Sequence, residues 1–326
     1  MSDFIEKDES NDGIDRRGFL KCMAWAGAGM VWAMKGGILQ SRAFGSDLSG
    51  IAGADFTFVQ VSDSHIGFHK GVYTDVVGTF QESVTRINAL PTPPSMILHT
   101  GDLTHLSKPH EFDTVAQIMK SINTDQSFYV PGEHDYFVDN GVQFLSRFGK
   151  GTRGIGYQSF DLKGVHFIGL VNVANLSNGK TTLGELGDEQ LEWLENDVAD
   201  LKSSTPIVVF AHVPLWTVYE QWGWGTEDAA QALGYLRRFG SVSVLNGHIH
   251  QILQKVEGNI TFHTARSTAF PQPAPGAADS PGPMKNIAAE KLKNYLGLTR
   301  VDYVEHTGML ATTDSTLAEL EPATQP

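Results

Sequence analysis

Five times along the chain, a short apolar run stops abruptly at carboxylate and imidazole residues. Phe56-Thr57-Phe58-Val59-Gln60-Val61 leads into Ser62-Asp63-Ser64-His65, and Ser95 to His99 leads into Gly101-Asp102. Ser127 to Val130 leads into Pro131-Gly132-Glu133-His134-Asp135, Pro206 to Ala211 ends at His212, and Val242 to Leu245 ends at Asn246-Gly247-His248-Ile249-His250. Runs this short, apolar and rich in β-branched residues read as buried strands. Between the first three lie helical faces. Val76, Val77, Phe80, Val84, Ile87 and Leu90 recur at helical spacing until Pro91-Thr92-Pro93-Pro94 stops them. Pro109 opens a second helix with Phe112, Val115, Ile118, Met119 and Ile122 on one face. Strand, helix, strand implies parallel pairing through crossovers. The polar clusters then share the carboxyl-end edge of a sheet, where open α/β sheets build their sites.

The rest of the chain fills out a mixed sheet. Tyr157 to Leu162 and Val165 to Val171 flank Lys163-Gly164, a hairpin signal. A helix is expected from Asp188 to Leu201, with Leu191, Leu194, Val198 and Leu201 on one stripe. Another is expected after a Thr226 cap, with Glu227 and Asp228 early and Arg237 and Arg238 late. Further strands are expected near Ile260 to Thr264 and Val301 to Glu305, separated by a Pro/Ala/Gly-rich loop from Pro271 to Pro283. The tail from residue 308 lacks periodicity and reads as disordered.

A single His or Asp at a strand end is usually a hydrogen-bonded turn residue. Five such ends in one chain point instead to a common site. In extended chain, residues two apart point the same way, so Asp63 with His65 and His248 with His250 can each face it. Imidazole with carboxylate suits Mn, Fe or Zn. The formal charge of −13 argues against binding nucleic-acid duplexes or anionic membranes. An anionic substrate would then need local positive charge, which bound metal ions can supply.

These motifs, over residues 55 to 270, resemble the signature of the calcineurin-like metallophosphoesterases, and most of all the family's bacterial phosphodiesterase branch. The resemblance implies an α/β fold: a four-layer αββα sandwich of two mixed β-sheets flanked by helices. It implies two divalent or mixed-valence transition-metal ions, Mn, Fe or Zn. Asp63, His65 and His250 would bind the first metal, His212 and His248 the second, and Asp102 both. His134 matches the histidine that contacts the phosphate and protonates the leaving group. The implied reaction is hydrolysis of a small-molecule phosphate ester, with diesters (cyclic nucleotides included) favoured over monoesters. Two metals about 3.5–4 Å apart can hold a bridging hydroxide for in-line attack. One residue departs from the pattern: Glu133 stands where the family usually has Asn. We read it as a carboxylate ligand that lowers the positive charge of the second metal's environment; the alternative is that it turns away and the second metal binds weakly. The competing reading is a metal-binding protein on the same fold with weak or no catalysis.

The N-terminal segment is separate. Asp15-Arg16-Arg17-Gly18-Phe19-Leu20-Lys21 resembles a twin-arginine export signal, with Asp15 where Ser or Thr is usual. The apolar run from Cys22 to Met34 is short for a spanning helix and suits a signal core. Ser41-Arg42-Ala43 offers small residues at cleavage spacing. The expected organisation is a signal over 1–43, a linker over 44–54, a phosphoesterase domain over 55–307 and a tail over 308–326. Such a protein would use the twin-arginine machinery and be periplasmic or secreted, with no stable membrane anchor once cleaved. Cys22 is the only cysteine, so the mature chain would have no thiolate ligand.

Three further features are weighed. Trp216, Tyr219, Trp222 and Trp224 crowd the stretch after His212 and can either contact substrate or pack their own loop. Arg266 can steady a phosphate, but a surface salt bridge is the expected role. His105 can support the site from behind, whereas His99, inside a strand, reads as a core histidine.

Overall fold

The apolar runs become strands whose two faces bury different partners. The computed structural model of the chain describes residues 30–35, 38–43, 54–174, 183–275, 277–304 and 309–319. Strands β1 (Met30–Lys35) and β2 (Ile38–Ala43) pair antiparallel as a two-stranded sheet of their own. The remainder of the expected signal and most of the expected linker lie outside the described residues.

β3 (Phe56–Val61), β4 (Met96–His99) and β5 (Gln126–Tyr129) run parallel at the centre and one side of a five-stranded sheet. The second sheet holds β6 (Gln158–Leu162), β7 (Val165–Leu170), β8 (Ile207–Ala211), β9 (Val242–Asn246), β10 (Gln254–Glu257) and β11 (Ile260–Thr264), in the order β10-β11-β9-β8-β7-β6. β7, β8, β9 and β11 are parallel, with antiparallel β6 and β10 at the edges. The β6–β7 hairpin turns on Lys163 and Gly164, both at positive φ, as a tight primed turn requires.

The two-residue period sorts the core. Phe56 and Phe58 face the other sheet and pack with Phe167, Val208, Phe210 and Leu245. The Phe58 and Phe167 rings meet edge to face at 5.6 Å. Val59 and Val61 face outward, under α1 (Val76–Asn88) and α2 (Pro109–Met119), and meet Phe80, Val84, Phe112 and Val115. The next helix, α3 (Val142–Phe148), adds Phe144 to this layer. On the opposite side, α4 (Asp188–Val198) and α5 (Ala229–Leu236) cover the second sheet with Leu191, Leu194, Leu233 and Leu236. The result is the expected αββα stack of two mixed sheets.

Two expectations are corrected. Thr226 does not cap α5. Its hydroxyl donates to the Pro214 carbonyl and accepts from Asn172, and Asp228 takes the N-cap position. The tail is not disordered throughout: β12 (Gly297–Val304) pairs antiparallel with β3, and β13 (Met309–Thr316) continues the sheet along the whole of β12. At the sheet edge β13 pairs with β12 alone, and Ala311 to Asp314 are only partly buried, so a polar run can form this strand without an apolar signature.

Candidate metal centre

Parallel pairing decides where the polar residues land. Val61, His99 and Tyr129 lie level across β3, β4 and β5, and Ala211 lies level with Asn246 across β8 and β9. All five motifs therefore leave the two sheets at carboxyl ends, and they meet at one edge of the sandwich.

The sheets are laced together there. His212 Nδ1 donates to the Thr100 carbonyl at 2.7 Å, and Gln60 donates to the Asn246 carbonyl at 3.1 Å. The backbone N–H of His248 lies 3.2 Å from both Asp63 carboxylate oxygens. Gly247 makes this approach possible: a Cβ there would sit 2.1 Å from Ser62 Oγ and 2.7 Å from Asp63 Oδ2.

The ligand pairs reach the site by a route other than strand alternation. Asp63, His65, Asp102, His248 and His250 adopt φ of +54°, +39°, +51°, +68° and +52°. They are five of the eight non-glycine residues at positive φ among the described residues, so backbone strain concentrates here. Left-handed residues of this kind cost about 1–3 kcal/mol each and persist where the surrounding structure enforces them. Backbone bonds from Asp63 to the Gly101 carbonyl (3.0 Å) and from His65 to the Asp102 carbonyl (2.9 Å) do so. Asp63 with His65 and His248 with His250 do converge, but through left-handed turns and not in extended chain.

Two triads result. In the first, His250 Nε2 is 3.1 Å from Asp63 Oδ1 and 3.2 Å from His65 Nε2. In the second, Glu133 Oε2 is 3.0 Å from His212 Nε2 and Glu133 Oε1 is 3.1 Å from His248 Nδ1. Asp102 Oδ2 lies between them, 3.4 Å from His65 Nε2 and 3.5 Å from His212 Nε2. Each triad keeps its donor atoms within 4.8 Å of one another.

The donors fit metal ions. Glu133 Oε2, His212 Nε2 and both ring nitrogens of His248 are buried without a hydrogen-bond partner. The 3.0 Å approach of Glu133 to His212 is close enough for attraction but does not satisfy either atom. Unsatisfied buried polar atoms are costly, and a cation between them would relieve that cost. Charge tells the same story. Burial would raise the Asp63 and Glu133 carboxyls, yet their histidine neighbours hold both below the ordinary range, Glu133 well below. Burial would lower His212, yet Asp102 and Glu133 hold it well above its ordinary value.

Groups behind the ligands set their orientation. A carbonyl can only accept, so a ring nitrogen facing one must carry the proton. His212 does this with Thr100, His250 Nδ1 with the Phe270 carbonyl at 2.5 Å, and His134 Nδ1 with the His105 carbonyl at 2.7 Å. Each therefore keeps Nε2 for the site. Asp135 accepts from the backbone of Gly132, Leu103 and Thr104 and from the Thr104 hydroxyl, tying the Asp102 loop to the Glu133 loop. Burial and the Asp102 charge push the Asp135 carboxyl up to about 7 against those donations.

His134 lies beside the first triad, its ring 4.8 Å from that of His65, and its backbone N–H donates to Asp102 Oδ1 at 2.9 Å. Burial works against its imidazolium, but Asp102, Glu133 and the His105 carbonyl hold it above its ordinary value. His105 supports it twice, through that carbonyl and by ring stacking at 4.7 Å. His99 is a buried strand residue whose Nε2 is 3.1 Å from Ser64 Oγ.

The aromatic stretch packs on itself: Trp222 meets Tyr219 and Trp224, Trp224 is buried, and Trp216 meets Phe262. Arg266 is buried, which corrects the surface salt bridge expected for it; it lies 3.5 Å from the Tyr295 carbonyl and helps lower Asp314. In the segment after β11, Ser267 and Gln272 carried no signal of a role in their residue types. The Ser267 hydroxyl donates to the Asp63 carbonyl, and Gln272 donates to that of His248. A positional signal existed: this segment leaves a parallel strand at the same edge as the other motifs.

Residues 56–252 match the family model described as calcineurin-like phosphoesterase. The chain is 23% identical over 220 residues to a 3',5'-cyclic-nucleotide phosphodiesterase from Nostoc sp., covering 66% of this chain and 79% of that protein. It is 26% identical over 221 residues to a probable glycerophosphodiester phosphodiesterase from Arcobacter nitrofigilis, covering 64% and 77%. A dimetal phosphatase from Danio rerio shares the fold at a TM-score of 0.59 and 14% identity, over 81% of this chain and 99% of that one.

Proposed function

Because the chain belongs to the calcineurin-like phosphoesterase family, we propose that it hydrolyses small-molecule phosphodiesters, cyclic nucleotides among them, outside the cytoplasm. Membership makes it a metal-dependent phosphoesterase, and the family uses dinuclear metal centres. One observation carries the reading for this chain: two buried triads of donors share Asp102 between them. Asp63, His65 and His250 would hold one ion, Glu133, His212 and His248 the other, and Asp102 would touch both. The donor chemistry fits Mn, Fe or Zn. Bound there, the ions supply Lewis acidity for the phosphoryl oxygens and a water acidic enough to attack near neutral pH.

The protein's own groups do the rest. His134, fixed through Nδ1, presents Nε2 to the leaving oxygen and gives it a proton. Asp135 keeps the His134 turn registered against Asp102. Glu133 favours diesters. Three carboxylates leave the site less positive than two would, which weakens its hold on a dianionic monoester more than on a monoanionic diester. The relatives support the same preference, since two of them are named as phosphodiesterases. A panel of mono- and diesters, turned over by purified protein with quantified metal, tests this. Diesters should exceed monoesters in kcat/KM by about tenfold or more; a monoester preference contradicts it.

Export rests on Arg16-Arg17 and the apolar run that follows. The acidic charge would not hold the protein to nucleic acid or an anionic membrane, so its partner beyond the substrate is the export machinery.

A further inference from the structure

Among the described residues only five large apolar side chains are exposed, and four of them lie within eight residues of His105 or His134 in the chain: Leu106 (39%), Phe137 (55%), Val138 (69%) and Val142 (60%). Leu106 follows His105. Phe137 and Val138 follow the turn that carries His134, and Val142 opens α3. The Ser107 hydroxyl donates to the His134 carbonyl at 2.6 Å, and His134 Nδ1 bonds the His105 carbonyl, so the two loops form one surface. Single exposed apolar residues need no explanation, but a patch at the rim of a site does.

Of these, Phe137 is the one in direct contact with a site residue. Its ring stands edge-on to that of His134, with centroids 4.7 Å apart and planes at 62°. Just over half of the residue is exposed. The ring therefore lies one side chain from the group assigned to the leaving oxygen.

We propose that Phe137 forms a leaving-group subsite for a flat aromatic substituent on the ester. The inference rests on the phosphodiesterase reading and on the placing of His134 toward the leaving oxygen. An aromatic group held through a short linker stacks on the open ring and shields the patch from water. A polyol leaving group gains little there.

The test compares bis(4-nitrophenyl) phosphate with glycerophosphocholine in wild type, Phe137→Ala and Phe137→Trp, with metal content measured for each. Phe137→Ala should lower the aryl-to-alkyl ratio of kcat/KM about tenfold, mainly through KM, and Phe137→Trp should restore it. An active wild type whose ratio does not change in Phe137→Ala overturns the inference alone. An equal fall in kcat on both esters would make Phe137 a support for His134 and also overturn it. A wild-type dimer that dissociates in Phe137→Ala would give the patch to a second copy of the chain, with the same consequence. A metal-loaded wild type inactive on both esters overturns the phosphodiesterase reading, and the subsite with it.

Discussion

His212, at the end of a strand in one sheet, donates its Nδ1–H to the carbonyl of Thr100, at the end of a strand in the other, over 2.7 Å. This bond ties the two sheets together at the metal centre. It also fixes the tautomer that leaves Nε2 facing Asp102 and Glu133.

The bond needs Gly101. Its φ is +97°, and a Cβ there would lie 2.4 Å from His212 Nδ1 and 2.8 Å from the Gly132 nitrogen. Gly101→Ala should cost about 2–4 kcal/mol in urea unfolding and weaken metal retention. A variant with wild-type stability and metal content would show that the approach tolerates a side chain.

His134→Ala should reduce kcat about 10²–10³-fold with two metals still bound, because the side chain donates to a backbone carbonyl and stands beside the metal triads. Elemental analysis separates the outcomes. Loss of metal would make His134 a structural residue.

Glu133→Asn restores the neutral residue usual in the family. We expect the second metal to bind about tenfold more weakly in competition with a chelator, since one charged donor to it is gone. Turnover of monoesters should rise relative to diesters. Unchanged stoichiometry and activity would remove Glu133 from the ligand set.

A pH-dependent clamp lies away from the site. His166 joins Asp161 (2.8 Å) to Asp197 (2.9 Å), and Ser159 also donates to Asp197. Burial lowers its pKa, but the two carboxylates outweigh that and hold it above its ordinary value. The folded state thus favours the imidazolium. Its stabilisation is full below the unfolded pKa of about 6.5 and fades as pH rises through the raised folded value. His166→Gln should lose about 1–2 kcal/mol at pH 6 and less at pH 9. A loss that is constant across that range would contradict the clamp.

Export should depend on the paired arginines. With Arg16→Lys and Arg17→Lys combined, the protein should be retained in the cytoplasmic fraction, where wild type appears outside it. Unchanged fractionation of the double variant would remove the twin-arginine reading.

The seven candidate ligands and His134 were legible because each sits where an apolar strand gives way to a polar residue, and parallel pairing carries that pattern into one edge. The four-layer stack was legible only through the family resemblance that these motifs carry; the structure adds that Phe58 and Val59 bury on opposite faces against different partners. Other features leave little trace in side-chain type. The left-handed turns at Asp63 and His250 are backbone states that periodicity does not encode. The carbonyls of Thr100, Phe270 and His105 orient histidines, yet any residue supplies a carbonyl. β13 is an edge strand of mostly polar, partly buried residues and so reads as a polar tail.

Metal stoichiometry measured together with hydrolysis tests the central claim most directly. Purified protein should carry two transition-metal ions per chain. A chelator should abolish hydrolysis of bis(4-nitrophenyl) phosphate and added Mn²⁺ restore it, while Asp102→Asn should lose both metal and activity. Two bound metals with no turnover of any ester would contradict the account and leave a metal-binding protein on a phosphoesterase fold.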